Sequence, residues 1–173
     1  TDNNIDCFGA NNGFIDVTVS GGTPAYTYIW NNGATTEDLN GIGPGTYNVT
    51  VTDDIGCSES INGIVLSEPS ELIASGIITS NYNGEDIRCY GENNGEITAN
   101  VTGGVSPYSY SINNGPPPYS YSVNNIFNSL AANTYVITYK DYNDCEVSET
   151  IILTSPAQFQ AFTNNISNIS CFN

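Results

Sequence analysis

Apolar and polar residues alternate along most of this chain with the period of two expected for strands, not the three-to-four spacing of a helix. In FIDVTVS, Ile15, Val17 and Val19 share one face while Asp16, Thr18 and Ser20 take the other, the pattern of a half-buried strand. A later stretch repeats it, with Ile97, Ala99 and Val101 facing inward and Glu96, Thr98 and Asn100 outward. Tyr26, Tyr28 and Trp30 alternate in the same way as Tyr108, Tyr110 and Ile112, and Tyr47, Val49 and Val51 match Tyr135, Ile137 and Tyr139. A last strand puts Ile64 and Leu66 on the inner face in one copy. In the other copy Val147, Glu149, Ile151 and Leu153 take that face, with Glu149 interrupting it. Between these runs lie N-N-G, G-G-T-P, G-P-G and D-D-I-G, which supply positive φ or a preset proline φ to turns. No amphipathic stretch is long enough for a helix. The pattern predicts an all-β chain of Ig-like β-sandwiches, each of about seven short strands.

The matched strands belong to an internal repeat. CFGANNGFIDVTVSGGTPAYTYIWNNG, starting at Cys7, aligns with CYGENNGEITANVTGGVSPYSYSINNG, starting at Cys89. Cys171 follows at the same 82-residue spacing. The offset becomes 88 where GTYNVTVTDDIGC, ending at Cys57, meets NTYVITYKDYNDC, ending at Cys145, and 87 where Pro69 meets Pro156. Such length changes, confined to a few places, are what loops between fixed elements tolerate. The E-P-S sequence at Glu68, Pro69 and Ser70 and its counterpart at Ser155, Pro156 and Ala157 set the expected boundaries. Residues 1–69 are a first repeat lacking most of its first strand, 70–156 a complete second repeat, and 157–173 the start of a third. The chain therefore reads as a window cut from a longer polypeptide. Short proline-bearing junctions restrict bending, so an extended rod is expected.

A sandwich of this size buries a modest fraction of its surface, and the five cysteines offer a staple. Cys7 with Cys57 and Cys89 with Cys145 occupy equivalent repeat positions, which leaves Cys171 to pair beyond the segment. Each such bond restricts the unfolded chain by roughly 4 kcal/mol. The alternatives are free thiols and metal thiolates, the latter without the C-x-x-C or histidine ligands they usually use. Paired cysteines place the chain outside the cytoplasm. Eighteen acidic residues face only Arg88 and Lys140, for a formal charge of -16. Nucleic acid and anionic membrane surfaces are poor partners for that field. No apolar run approaches the roughly 20 residues of a membrane helix.

Candidate chemistry is sparse. The chain has no histidine, which removes Ser-His-Asp and Cys-His arrangements. Asp53 and Asp54 are adjacent, and neighbouring strand residues point to opposite faces, so they make a poor hydrolytic pair and the chain is read as no enzyme. PYSYSINN from Pro107 recurs as PYSYSVNN from Pro118, suggesting an inserted hairpin whose Tyr119 and Tyr121 offer a platform for sugar rings. Oxygen-bearing side chains in DNNID, with Asp2 and Asp6, and in NYNGED, with Asn81, Asn83, Glu85 and Asp86, are candidate calcium ligands; no other cofactor is expected. Neither stretch has EF-hand spacing, and Asx turns use the same letters. Sequons occur at Asn48, Asn100, Asn165 and Asn168, the first two on outward faces.

The motifs C-x-G-x-x-N-G, G-G-x-x-x-Y-x-Y, G-T-Y-x-V-T-V-T-D-x-x-G-C and E-P resemble the SprB repeat family of Bacteroidota surface proteins. The second copy departs from it at Asn133, at Asp144 and in the insertion after Gly115. The resemblance implies a large secreted adhesin built from many tandem repeats, displayed as a filament at the cell surface, exported by type IX secretion and moved by the gliding machinery. Its partners would be neighbouring repeats of the same chain and, through other regions, surface polysaccharide or that machinery. Three other roles fit the same residues: a carbohydrate-binding module, a passive stalk spacing another domain from the cell, and a polymer subunit joined through its ends.

Overall fold

The computed structural model describes residues 5–113 and 120–162. Described residues form thirteen β-strands and no helix. In the first repeat these are β1 (Gly13–Ile15), β2 (Thr27–Trp30), β3 (Leu39–Ile42), β4 (Gly45–Thr52) and β5 (Ser58–Leu66). The antiparallel pair β1-β3 lies opposite the antiparallel sheet β2-β4-β5. Alternation along the strands sends Ile15, Val17, Tyr28, Trp30, Leu39, Val49 and Leu66 into the core between them. Trp30 satisfies its indole by donating Nε1–H to the Thr36 carbonyl at 2.8 Å.

The second repeat contains β6 (Ile73–Ala74), β7 (Ile77–Ile78), β8 (Gly95–Thr98), β9 (Val101–Thr102), β10 (Ser109–Asn113), β11 (Ile126–Leu130), β12 (Asn133–Lys140) and β13 (Glu146–Leu153). Sheets β7-β8-β11 and β6-β9 form one layer and β10-β12-β13 the other. Ile97, Ala99, Tyr110, Tyr135, Ile137, Tyr139 and Leu153 fill the second core. Among the described residues, the two repeats hold five and eight strands where seven were expected in each. The difference has one source: β6, β7 and β9 all arise because the entry segment Ile73–Ile78 pairs with β9 and β8.

Glu149 does lie on the inward face. Burial of a carboxylate is tolerable only with donors around it, and there it accepts hydrogen bonds from the Tyr139 hydroxyl and from the Gly76 amide, the latter at 2.6 Å. Burial, then the neighbouring Glu149 carboxylate, pushes the Tyr139 phenol well above its ordinary value. The insertion folds back on the free edge of β10, where Tyr110 and Ser122 exchange both backbone hydrogen bonds. That is the antiparallel contact expected of a hairpin.

The disulfide corrects the expected pairing. Cys7 is bonded to Cys145, across the two repeats, with Cα atoms 5.7 Å apart. Cys57 and Cys89 are unbonded and exposed, and Cys171 lies outside the described residues. The β4-β5 hairpin explains why Cys7 does not reach Cys57. Ile5 donates its amide to the Ser67 carbonyl, which anchors Cys7 beside the Leu66 end of the hairpin. Cys57 precedes Ser58 at the opposite end, where Ser58 pairs with Thr52. Eight residues of β4 separate these ends, on the order of 25 Å, whereas a disulfide requires Cα atoms within about 7 Å.

Candidate functional site: the junction between the repeats

Each cysteine is held by a small frame of backbone hydrogen bonds. At Cys7, the Asp6 amide donates to Asn12 Oδ1 at 3.3 Å, and the Ala10 amide donates to the Cys7 carbonyl at 3.0 Å. At Cys145, the buried Asp141 organises the turn between β12 and β13. Its Oδ1 accepts from the Asn143 and Cys145 amides, both at 2.9 Å, and its Oδ2 accepts from Val105 at 2.9 Å. Tying the turn to Val105 sets it beside the domain entrance, because the adjacent Gly104 donates to the Ser70 carbonyl at 2.8 Å.

The linker runs between these two frames. Glu68 reaches back to accept from the Gly9 amide at 2.6 Å, and Asn143 Nδ2 donates to the Asp6 carbonyl across the junction at 2.8 Å. Two hollows flank Pro69, one bounded by Cys7, Phe8, Leu72 and Val147, the other by Ile5, Ser67, Val105 and Asn143. Gly103 is required by close approach: a Cβ there would overlap the Glu71 carbonyl. The junction thus combines a covalent bond, a cross-repeat hydrogen bond and a linker packed on the second sandwich. Its covalent element is the Cys7–Cys145 disulfide.

The sequence model of the SprB repeat matches residues 1–35 and 81–117. Two segments of this chain, one in each repeat, are thus similar to the SprB repeat. No curated protein matches it. The repeat suggests a segment of a Bacteroidota cell-surface adhesin. SprB repeats are typical of cell-surface proteins, and among the described residues no helix is long and apolar enough to cross a membrane. Both matched segments include a start cysteine, Cys7 or Cys89, and the glycine pair that precedes the tyrosine strand.

In the second repeat, Tyr121 is half-buried, and Tyr119 lies outside the described residues. The Tyr121 hydroxyl donates to Glu146 Oε1 at 2.9 Å, while Lys140 Nζ sits 4.7 Å from the centre of its ring. One ring face is therefore taken by an ammonium group, an arrangement that favours packing against β12 and β13. Hydrogen bonds from Lys140 and then Tyr121 hold the Glu146 carboxyl below its usual range. Tyr108, the partner of Tyr26, donates to the Gly103 carbonyl at 2.7 Å, and Tyr26 donates to that of Gly21 at 2.5 Å. These tyrosines brace the glycine turns.

Of the calcium candidates, Asn81, Glu85 and Asp86 line one open hollow in the second repeat, and Asp6 lies in the first. Asp2 lies outside the described residues. Asp6 accepts from Asn12 Nδ2 at 2.8 Å. Asn81, Asn83 and Glu85 form a tight turn closed by Tyr82 and Glu85, in which Asn81 Oδ1 accepts from Gly84 and Asn83 takes φ 59°. Asp86 accepts from the Thr154 amide and hydroxyl at 2.9 and 2.8 Å, fastening the repeat's start to its exit. The described residues bring no three acidic or cysteine side chains together as a metal site. Asn100 is exposed, whereas Asn48 is half-buried and accepts from the Gly63 amide at a bulge in β4-β5. What the sequence reading missed was the junction itself. Its available signal was the D-x-x-x-C spacing shared by Asp53–Cys57 and Asp141–Cys145, which marks a carboxylate-capped turn that presents a cysteine.

Proposed function

We propose that this chain is a structural tandem-repeat segment of a large secreted adhesin filament at the cell surface, serving surface attachment and gliding motility. The observation that carries the reading is the Cys7–Cys145 bond, which spans the junction instead of stapling one sandwich. Tension applied to the ends passes through that bond and bypasses the strands between the two cysteines. The sandwiches need not resist the pull by packing alone. Pro69, held between two hollows and flanked by hydrogen-bonded neighbours, favours a stiff junction and hence an extended rod. The charge of -16 keeps neighbouring filaments apart and soluble. Neighbouring repeats are the direct partners. Contact with polysaccharide, or with the gliding and secretion machinery, belongs to other regions of the parent protein.

Single-molecule stretching with and without a reductant tests this reading. The bond shelters a sequence separation of 138 residues, so reduction should add about 450–500 Å of contour length to complete unfolding. Equal extension in both conditions would remove the mechanical role.

A further inference from the structure

The two unbonded cysteines, Cys57 and Cys89, are held in the same hydrogen-bonded frames as the two bonded ones. Around Cys57, Asp53 Oδ1 accepts from the Ile55 and Cys57 amides at 3.2 and 2.8 Å, and Oδ2 accepts from Thr23 at 3.0 Å. These are the counterparts, donor by donor, of Asn143, Cys145 and Val105 around Asp141. Around Cys89, the Arg88 amide donates to Asn94 Oδ1 at 3.1 Å, and the Glu92 amide donates to the Cys89 carbonyl at 3.1 Å. Those match Asp6, Asn12, Ala10 and Cys7 at the 82-residue offset. Both thiols are exposed, as is Tyr90, the counterpart of Phe8.

The receiving surface recurs as well. Gly104, Asp141, Cys145, Glu146 and Val147 form the second-repeat side of one hollow beside Pro69. Their counterparts Gly22, Asp53, Cys57, Ser58 and Glu59 line an open hollow on the first repeat. Gly21 makes the same point: a Cβ there meets nothing within 4 Å, while at Gly103 it would strike the linker at Glu71.

We infer that Cys57 and Cys89 are the half-sites of further inter-repeat disulfides: Cys57 receives the start cysteine of a preceding SprB repeat, and Cys89 bonds the end cysteine of a following one. The rule read from the formed bond is start cysteine to end cysteine of the next repeat. Applied along an array, it makes each repeat bond both neighbours, and the covalent links overlap like rungs of a continuous ladder. Each bond forms when two thiols give up two protons and two electrons to a disulfide oxidant such as oxidised glutathione, which leaves as two thiols. The Asn143 hydrogen bond is not reproduced where Ile55 stands, so such a junction relies on the disulfide and on linker packing. The inference rests on the tandem-repeat reading above.

The test joins two copies in one polypeptide, residue 164 of the first followed by residue 1 of the second. All described residues are kept, and the second Cys7 falls where Cys171 stands in the single chain. After refolding in a glutathione redox buffer, cysteine-containing peptides are mapped without reduction. The expected bonds are Cys7–Cys145 in each copy and Cys89 of the first copy to Cys57 of the second. Cys89→Ser in the first copy should leave the second Cys57 as an alkylatable thiol, with both Cys7–Cys145 bonds intact. The inference is overturned if Cys89 and the second Cys57 stay reduced while the Cys7–Cys145 bonds form. It is equally overturned if either pairs elsewhere, or if the Cys7–Cys145 bonds themselves are missing. Loss of the ladder with an unchanged stretching response would remove this inference and leave the mechanical reading standing.

Discussion

Asp141 is a buried carboxylate whose work is to hold three backbone amides, from Val105, Asn143 and Cys145. Replacing it with alanine leaves those donors without their charged acceptor, and the Asp141→Ala variant should lose about 3 kcal/mol in urea unfolding. Asp53 does the same in a more exposed setting, where the Thr23 amide, followed by those of Cys57, Ile55 and Gly56, holds its carboxyl below the usual range. Its folded-state pKa is depressed, so the stability it adds is present above the unfolded carboxylate value of about 4 and is lost as pH falls through the folded value. Glu92, held low by Arg88, and Glu146, held low by Lys140, act in the same direction. Melting temperature should therefore fall steadily below about pH 4, and Asp53→Asn should flatten that fall; an unchanged acid slope in the variant would contradict this. From sequence, Asp53 and Asp54 were read as two adjacent acids at a D-D-I-G turn. That Asp53 also accepts from the distant Thr23 amide is a tertiary fact.

Strands were the most legible level, because alternation reports burial directly. Ile15, Val17, Tyr28, Trp30, Val49 and Leu66 are inside as the pattern requires, and Glu149 keeps its inward register through two donors that a one-dimensional pattern does not contain. Strand ends were less legible, for a physical reason seen at Val17. Its side chain is buried, but its amide donates to Asp38 Oδ1 at 3.0 Å, and β1 stops at Ile15. Hydrophobic faces thus extend beyond the hydrogen-bonded ladder. The same burial makes a prediction for the first sandwich. Trp30 is 2% exposed at the centre of its core, and truncation to alanine forfeits a large buried surface and a satisfied indole. Trp30→Ala should cost about 3–5 kcal/mol, measured by circular dichroism in urea; a loss below 1 kcal/mol, on the order of a surface substitution, would mean the core is not built around it.

At the scale of the whole molecule, the repeat identified which cysteines are equivalent but not which are partners. Pairing start with end inside one repeat and pairing start with the next repeat's end leave the same equivalences in the sequence. Only the length and direction of β4-β5 separate them, by placing the two cysteines of one repeat at opposite ends of a hairpin. That geometry turns two stapled sandwiches into a linked pair, and it is the basis for the proposed filament role and the proposed ladder alike. Disulfide mapping of the oxidised, unfused chain tests it most directly. Non-reducing peptide analysis should recover Cys7 joined to Cys145, with Cys57 and Cys89 alkylated as thiols; recovery of Cys7 joined to Cys57 and Cys89 joined to Cys145 would contradict the account.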